Sequence, residues 1–211
     1  MRKTTVLLTT LLFCLTSSAQ LAVSNAAPYN VPTYLVNNVL LGNGVSASNI
    51  TYTGNPAQIG FFTGGLNGAP NLGLDSGLVM SSGDVNDIAP GGNQPNTGSF
   101  SGPGDPDLLS IAQSVTSNPN AANITQTQYA AFLEFDFTPA GDSVQFNFVF
   151  ASEEYPDGGI GGWVNQVFND VFAFYISGPG ITGQENLAVV PGTTTPVTIN
   201  SINNGSFWQR S

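Results

Sequence analysis

Between Ala130 and Phe150 the chain alternates with a period of two, and nothing else in the sequence constrains its fold as strongly. Leu133, Phe135 and Phe137 fall on one side of an extended backbone, with Glu134 and Asp136 on the other. After Thr138-Pro139-Ala140-Gly141-Asp142 the pattern resumes with Val144, Phe146, Phe148 and Phe150. A helix, repeating every 3.6 residues, would scatter these side chains around its axis; a strand gathers them on one face. The pattern predicts a hairpin with its phenylalanines inward. A third strand is expected from Val167 to Ser177. It is apolar on both faces, with Phe168, Phe172, Phe174 and Ile176 on one and Val167, Val171, Ala173 and Tyr175 on the other. A strand of that kind belongs in the middle of a molecule.

Shorter β-like pieces stand at Ile50 to Thr53, Ile59 to Thr63, Gly77 to Ser81, Leu187 to Val190 and Val197 to Asn200. Gly, Asn and Pro clusters separate them, as many short strands joined by turns require. Two helices interrupt the strands. Pro32 suits a first helical position ahead of Leu35, Val36, Val39 and Leu40, and Gly42 and Gly44 stop that helix. In the second, Asp105 is placed to cap, Pro106 suits the first position, and Asp107 favours the positive end of the dipole. Leu108, Ile111, Ala112 and Val115 then recur at i, i+3, i+4 and i+7. Residues 83 to 106 form a long polar loop with four prolines. The expected fold is mainly β: an antiparallel β-sandwich, jelly-roll-like, with two short helices near 33–41 and 106–115. Phe135, Phe146, Phe148, Phe150, Phe172 and Phe174 are expected in its core. No internal repeat is visible.

The N-terminus reads as an export signal. Met1-Arg2-Lys3 is a positive start, Thr4 to Thr16 is mostly apolar, and Ser17-Ser18-Ala19 offers a small-residue cleavage site. The apolar run is shorter than the roughly 20 residues a membrane span needs. The expected division is a signal peptide at 1–19, a leader at 20–31 and a single β domain at 32–211. Cys14, the one cysteine, lies inside the signal and follows Phe13 rather than the small residue a lipoprotein signal would place there. Cleavage removes two of the three basic residues and none of the 13 acidic ones, leaving Arg210 as the one cation. Such a chain neither neutralises a phosphate backbone nor binds anionic lipid, which excludes nucleic acid and direct membrane binding. The expected location is secreted or at the cell surface.

Two acidic patches interrupt the apolar half. One is Ala151-Ser152-Glu153-Glu154-Tyr155-Pro156-Asp157, directly after a predicted strand; the other is Asn169-Asp170 between Phe168 and Phe172. Asp170 alternates with those phenylalanines, so it is expected on their face and partly buried. A buried carboxylate without lysine or histidine must be protonated, held by hydrogen bonds, or bound to a cation. Hard oxygen ligands suit Ca2+, which takes six to eight of them. The spacing matches no EF-hand. Glu153, Glu154, Asp157 and Asp170 are therefore candidate calcium ligands. The competing reading makes the first three solvated turn residues and Asp170 a cap of backbone amides.

The strings Phe148-Val149-Phe150-Ala151-Ser152-Glu153-Glu154-Tyr155-Pro156, Phe168-Asn169-Asp170-Val171-Phe172-Ala173-Phe174 and Ile176-Ser177-Gly178-Pro179-Gly180 resemble the choice-of-anchor L domain of secreted bacterial surface proteins, notably of Bacteroidota. The resemblance extends to Val39-Leu40-Leu41-Gly42-Asn43-Gly44-Val45, Gly77-Leu78-Val79-Met80-Ser81-Ser82-Gly83, Gly104-Asp105-Pro106-Asp107-Leu108 and Pro191-Gly192-Thr193-Thr194-Thr195-Pro196-Val197. It implies an extracellular module serving adhesion or surface assembly. It also implies further strands after Ser211, so the domain is expected to be C-terminally incomplete and prone to self-association.

Three functions compete. The adhesion or assembly reading fits the export signal and the low charge. An enzyme would have to work without histidine and, after cleavage, without cysteine or lysine, which removes Ser-His and Cys-His chemistry and histidine-bound metal. Glu153 or Glu154 with Asp170 is the one pair left, suited to two-carboxylate glycoside hydrolysis; the expectation is that the chain is not an enzyme. A carbohydrate-binding module needs exposed aromatic platforms beside polar groups, and Tyr155 and Trp163 are the candidates for a glycan or other extracellular partner. Their competing reading is packing over the sheet end.

Overall fold

A computed structural model describes residues 20–66, 71–88, 100, 102–152, 155, 164 and 167–202. Among them the chain is mainly β, antiparallel throughout, with two short helices, as the alternation and capping signals require. The strands are β1 (Ala22–Ser24), β2 (Val45–Thr53), β3 (Ile59–Thr63), β4 (Ser76–Met80), β5 (Phe132–Pro139), β6 (Tyr175–Ile176) and β7 (Glu185–Asn186). They form three sheets, β1-β3-β4, β2-β5 and β6-β7, and among the described residues no closed barrel.

The helices follow their local chemistry. Helix α1 (Pro32–Leu35) begins at its proline and widens into a π-helical turn over Val36–Leu40, closed by the Leu41 amide donating to the Val36 carbonyl at 3.0 Å. Leu35 and Val36 are fully buried. Helix α2 (Pro106–Ser114) starts as its sequence dictates: the Asp105 carboxylate accepts from the Leu108 amide at 2.8 Å. Its inner stripe, Ile111, Ala112 and then Val115, is buried.

A buried glutamine joins the first sheet to the rest. Asn55 and Gln58 cap the short turn before β3 reciprocally. The Gln58 amide also donates to the carbonyls of Tyr129 at 2.8 Å and Ser82 at 3.2 Å. Its polar atoms are thus paired on leaving water, which makes the burial tolerable.

Two expectations are corrected. β5 does not form a hairpin with Val144–Phe150; it pairs with β2, from Val45 opposite Pro139 to Thr53 opposite Phe132. Among the described residues, the backbone of 144–150 forms no ladder. Its rings nevertheless lie in the expected order: Phe146 is 6.5 Å from Phe137 and 4.7 Å from Phe174, and Phe148 is 5.5 Å from Phe172. Val167–Ser177 likewise shrinks to β6 and an isolated bridge between Val171 and Thr198. The second correction concerns the core. Phe135, Phe146, Phe150, Phe172 and Phe174 are only half-buried, and Phe148 is 44% exposed. The sealed core is largely aliphatic, built from Leu21, Leu35, Val36, Ile59, Val85, Ile111, Val115, Val197 and Ile199, with Phe62. An inward face is buried only where a second layer closes over it.

Candidate functional site

The segment carrying Asp170 is held by its backbone and by Asn169. The Ile199 amide donates to the Asp170 carbonyl at 3.0 Å, beside the Val171–Thr198 bridge. The Asn169 side chain turns the other way, donating to the Ala112 carbonyl of α2 at 3.2 Å and accepting from the Asn200 amide at 3.2 Å. The Asn200 side chain donates to the Phe168 carbonyl at 3.0 Å. Below it the Ser201 hydroxyl donates to the Pro196 carbonyl at 2.6 Å and accepts from the Thr198 amide at 2.8 Å. Thr198, Asn200 and Ser201 are fully buried, so this polar tract is a fixed platform.

Fixing Asn169 toward α2 sends Asp170 to the opposite face, as strand alternation demands. There Ser152, at the end of the preceding apolar segment, hydrogen-bonds its carboxyl. Burial pushes the Asp170 carboxyl above its ordinary value, and the Ser152 bond pulls it part of the way back. Much of the residue's surface still meets solvent. That open side limits the rise, so Asp170 is a desolvated carboxyl with one water-facing flank rather than a sealed one. Phe168, expected to share in burying it, is 54% exposed.

The acidic residues Asp105, Asp107 and Asp136 are engaged elsewhere. Asp105 caps α2, and Asp107 accepts from the Gln184 side chain at 3.0 Å. Both lie near Tyr175, whose hydroxyl is raised by burial first and then by Asp107 and Asp105. Asp136 accepts from the Asn49 amide at 2.6 Å. Among the described residues no three carboxylates come together. Glu153, Glu154, Asp157 and Trp163 lie outside the described residues; Tyr155 is half-buried.

Among the described residues, shallow hollows open at two places on the surface. Gln113, Thr116, Asn118 and Pro119 line one after α2; Leu72, Leu74, Phe146, Asn147 and Phe148 line the other. Neither is lined by an acidic residue. The Asn200–Ser201 anchor was not legible in the sequence. Its signal, polar residues continuing past Val197-Thr198-Ile199, resembles an ordinary strand end.

The profile of one family, described as Choice-of-anchor L domain, matches residues 23–210, nearly the whole chain. No curated protein and no solved structure matches it.

Proposed function

Because the chain belongs to the Choice-of-anchor L domain family of surface-associated bacterial proteins, we propose that it is an exported surface module that works by adhesion or surface assembly and not by catalysis. The observation that carries this reading is the family match along nearly the full chain. The N-terminal export pattern supports it, and so does a composition with no histidine and one cation after residue 3. The test is localisation. A tagged copy expressed in a bacterium of the source type is expected in the surface fraction or the medium, and to be shaved from intact cells by protease. Retention in the cytoplasm overturns the reading.

Calcium is its second element, favoured by one observation: Asp170 is desolvated and has no cation to face it among the described residues. In this reading Asp170 supplies a hard oxygen, with Glu153, Glu154 and Asp157, which follow Ser152 in the sequence, as the further ligands. A cation that binds only the folded state stabilises it by RT ln(1 + [L]/Kd), about 2.7 kcal/mol at 100 times Kd. Melting is expected to rise by several degrees with calcium over chelator in the wild type, and not in Asp170→Asn. Coincident wild-type curves would end the calcium reading. Glycan-array binding lost on Tyr155→Ala or Trp163→Ala would instead favour a carbohydrate-binding module.

A further inference from the structure

We infer that two copies of this chain pair antiparallel through the outer edge of β2, centred on Ser46. The Ala140 amide donates to the Gly44 carbonyl at 2.7 Å, and Val45 stands opposite Pro139. Backbone groups alternate along an antiparallel strand, so Gly44, Ser46 and Ser48 turn theirs toward β5, and Val45 and Ala47 turn theirs away. Among the described residues nothing hydrogen-bonds to those outward groups. The edge lacks the usual guards: Val45–Thr53 contains no charge and no proline. Its one irregularity is the register shift between Ser48 and Thr51, where Asn49 has φ +52°. That bulge turns the strand and confines pairing to the Val45–Ser48 arm.

Charge and register select a second copy as the occupant. The chain has a net charge of −10 from 13 acidic and three basic residues, so two copies repel across most of their surfaces. This strip offers no charge to repel and none to attract a cationic partner. It is also self-complementary. With Val45 opposite the partner's Ala47, the outward groups of both meet, and Ser46 faces the partner's Ser46. A two-fold axis through that pair makes the contact isologous, so each copy uses its β2 edge once. The added pairing matters because β2 and β5 form a sheet of only two strands. Two strands are marginal in water, whereas a sheet running β5-β2 and on into the partner's pair has four. The inference goes beyond the surface reading and is independent of it, since a chain that stays in solution would pair in the same way.

The purified exported protein is expected to sediment as a dimer that dissociates on dilution. Ser46 is exposed, so Ser46→Lys and Ser46→Asp are each expected to melt like wild type at dilutions where wild type is itself monomeric, and to stay monomers where wild type pairs, because like charges then face each other. Mixing the two variants restores the dimer. Thr53→Lys, exposed on the same strand beyond the bulge, leaves it intact. A wild type that is monomeric at every concentration overturns the inference. So does a dimer that survives both Ser46 variants, or a mixture that stays monomeric.

Discussion

Asp105 shows how one side chain sets an element. Its carboxylate satisfies an amide that the first turn of α2 leaves without an intrahelical partner. Asp105→Ala is expected to cost about 1 kcal/mol, read as a lower denaturant midpoint at unchanged slope, and Asp105→Asn much less. Asp170 works in the opposite direction. Its carboxyl is raised in the folded state, so the folded protein binds more protons than the unfolded one between the two pKa values. Stability from this group therefore falls as pH rises from the ordinary carboxylate value through the raised one, then levels off. In chelator at neutral pH, Asp170→Asn is expected to melt no lower than wild type and to lose that slope. Tyr52 behaves alike at alkaline pH. Burial pushes its hydroxyl up from 10.0 to about 12, while it donates to the Asn55 carbonyl at 2.8 Å. Its contribution to stability should drop between those values, and Tyr52→Phe should remove that share of the drop in denaturation measured from pH 9 to 12, leaving the share of Tyr175.

At the scale of elements, α2 is tied in at both ends. Gly104, just before its cap, packs against the Thr127 carbonyl so closely that a Cβ would collide with it. The Asp105 amide donates to the Thr127 hydroxyl at 2.7 Å. At the other end, Asn169 bridges the Ala112 carbonyl and the Asn200 amide. Asn169→Ala removes both partners at once and leaves Asn200 to find another. The expected loss is about 1–3 kcal/mol. Hydrogen exchange should quicken first in the 197–201 turn and not in β3. Equal protection in both would mean that Asn169 is not the tie.

For the whole molecule, the distribution of burial decides which residues matter most. Leu35 and Ile199 are fully enclosed, while Phe148, larger than either, keeps 44% of its surface in solvent. Truncating Leu35 or Ile199 to Ala should cost about 2–5 kcal/mol through lost burial and the cavity left behind. Phe148→Ala should cost clearly less than either. Thermal melts of the three variants test this ordering, and a larger loss at Phe148 would show that its face is covered in solution.

Local features were legible in the chain alone. Pro32 and the Asp105-Pro106 pair start helices where expected, and Ile59–Thr63 is a strand to the residue, because caps and period-two runs act within a few residues of themselves. That the Asp170 carboxyl is desolvated was equally legible, since alternation with Phe168 and Phe172 sets its face. Which strand β5 pairs with was not. Val45–Thr53 and Val144–Phe150 both alternate, and the choice between a partner a few residues away and one some ninety residues distant rests on contacts that no local pattern encodes. Packing likewise left the phenylalanines of 135–174 only partly covered, while a largely aliphatic set with Phe62 is sealed. Alternation tells a side chain which face it shares; only a second layer packed over that face takes it out of water.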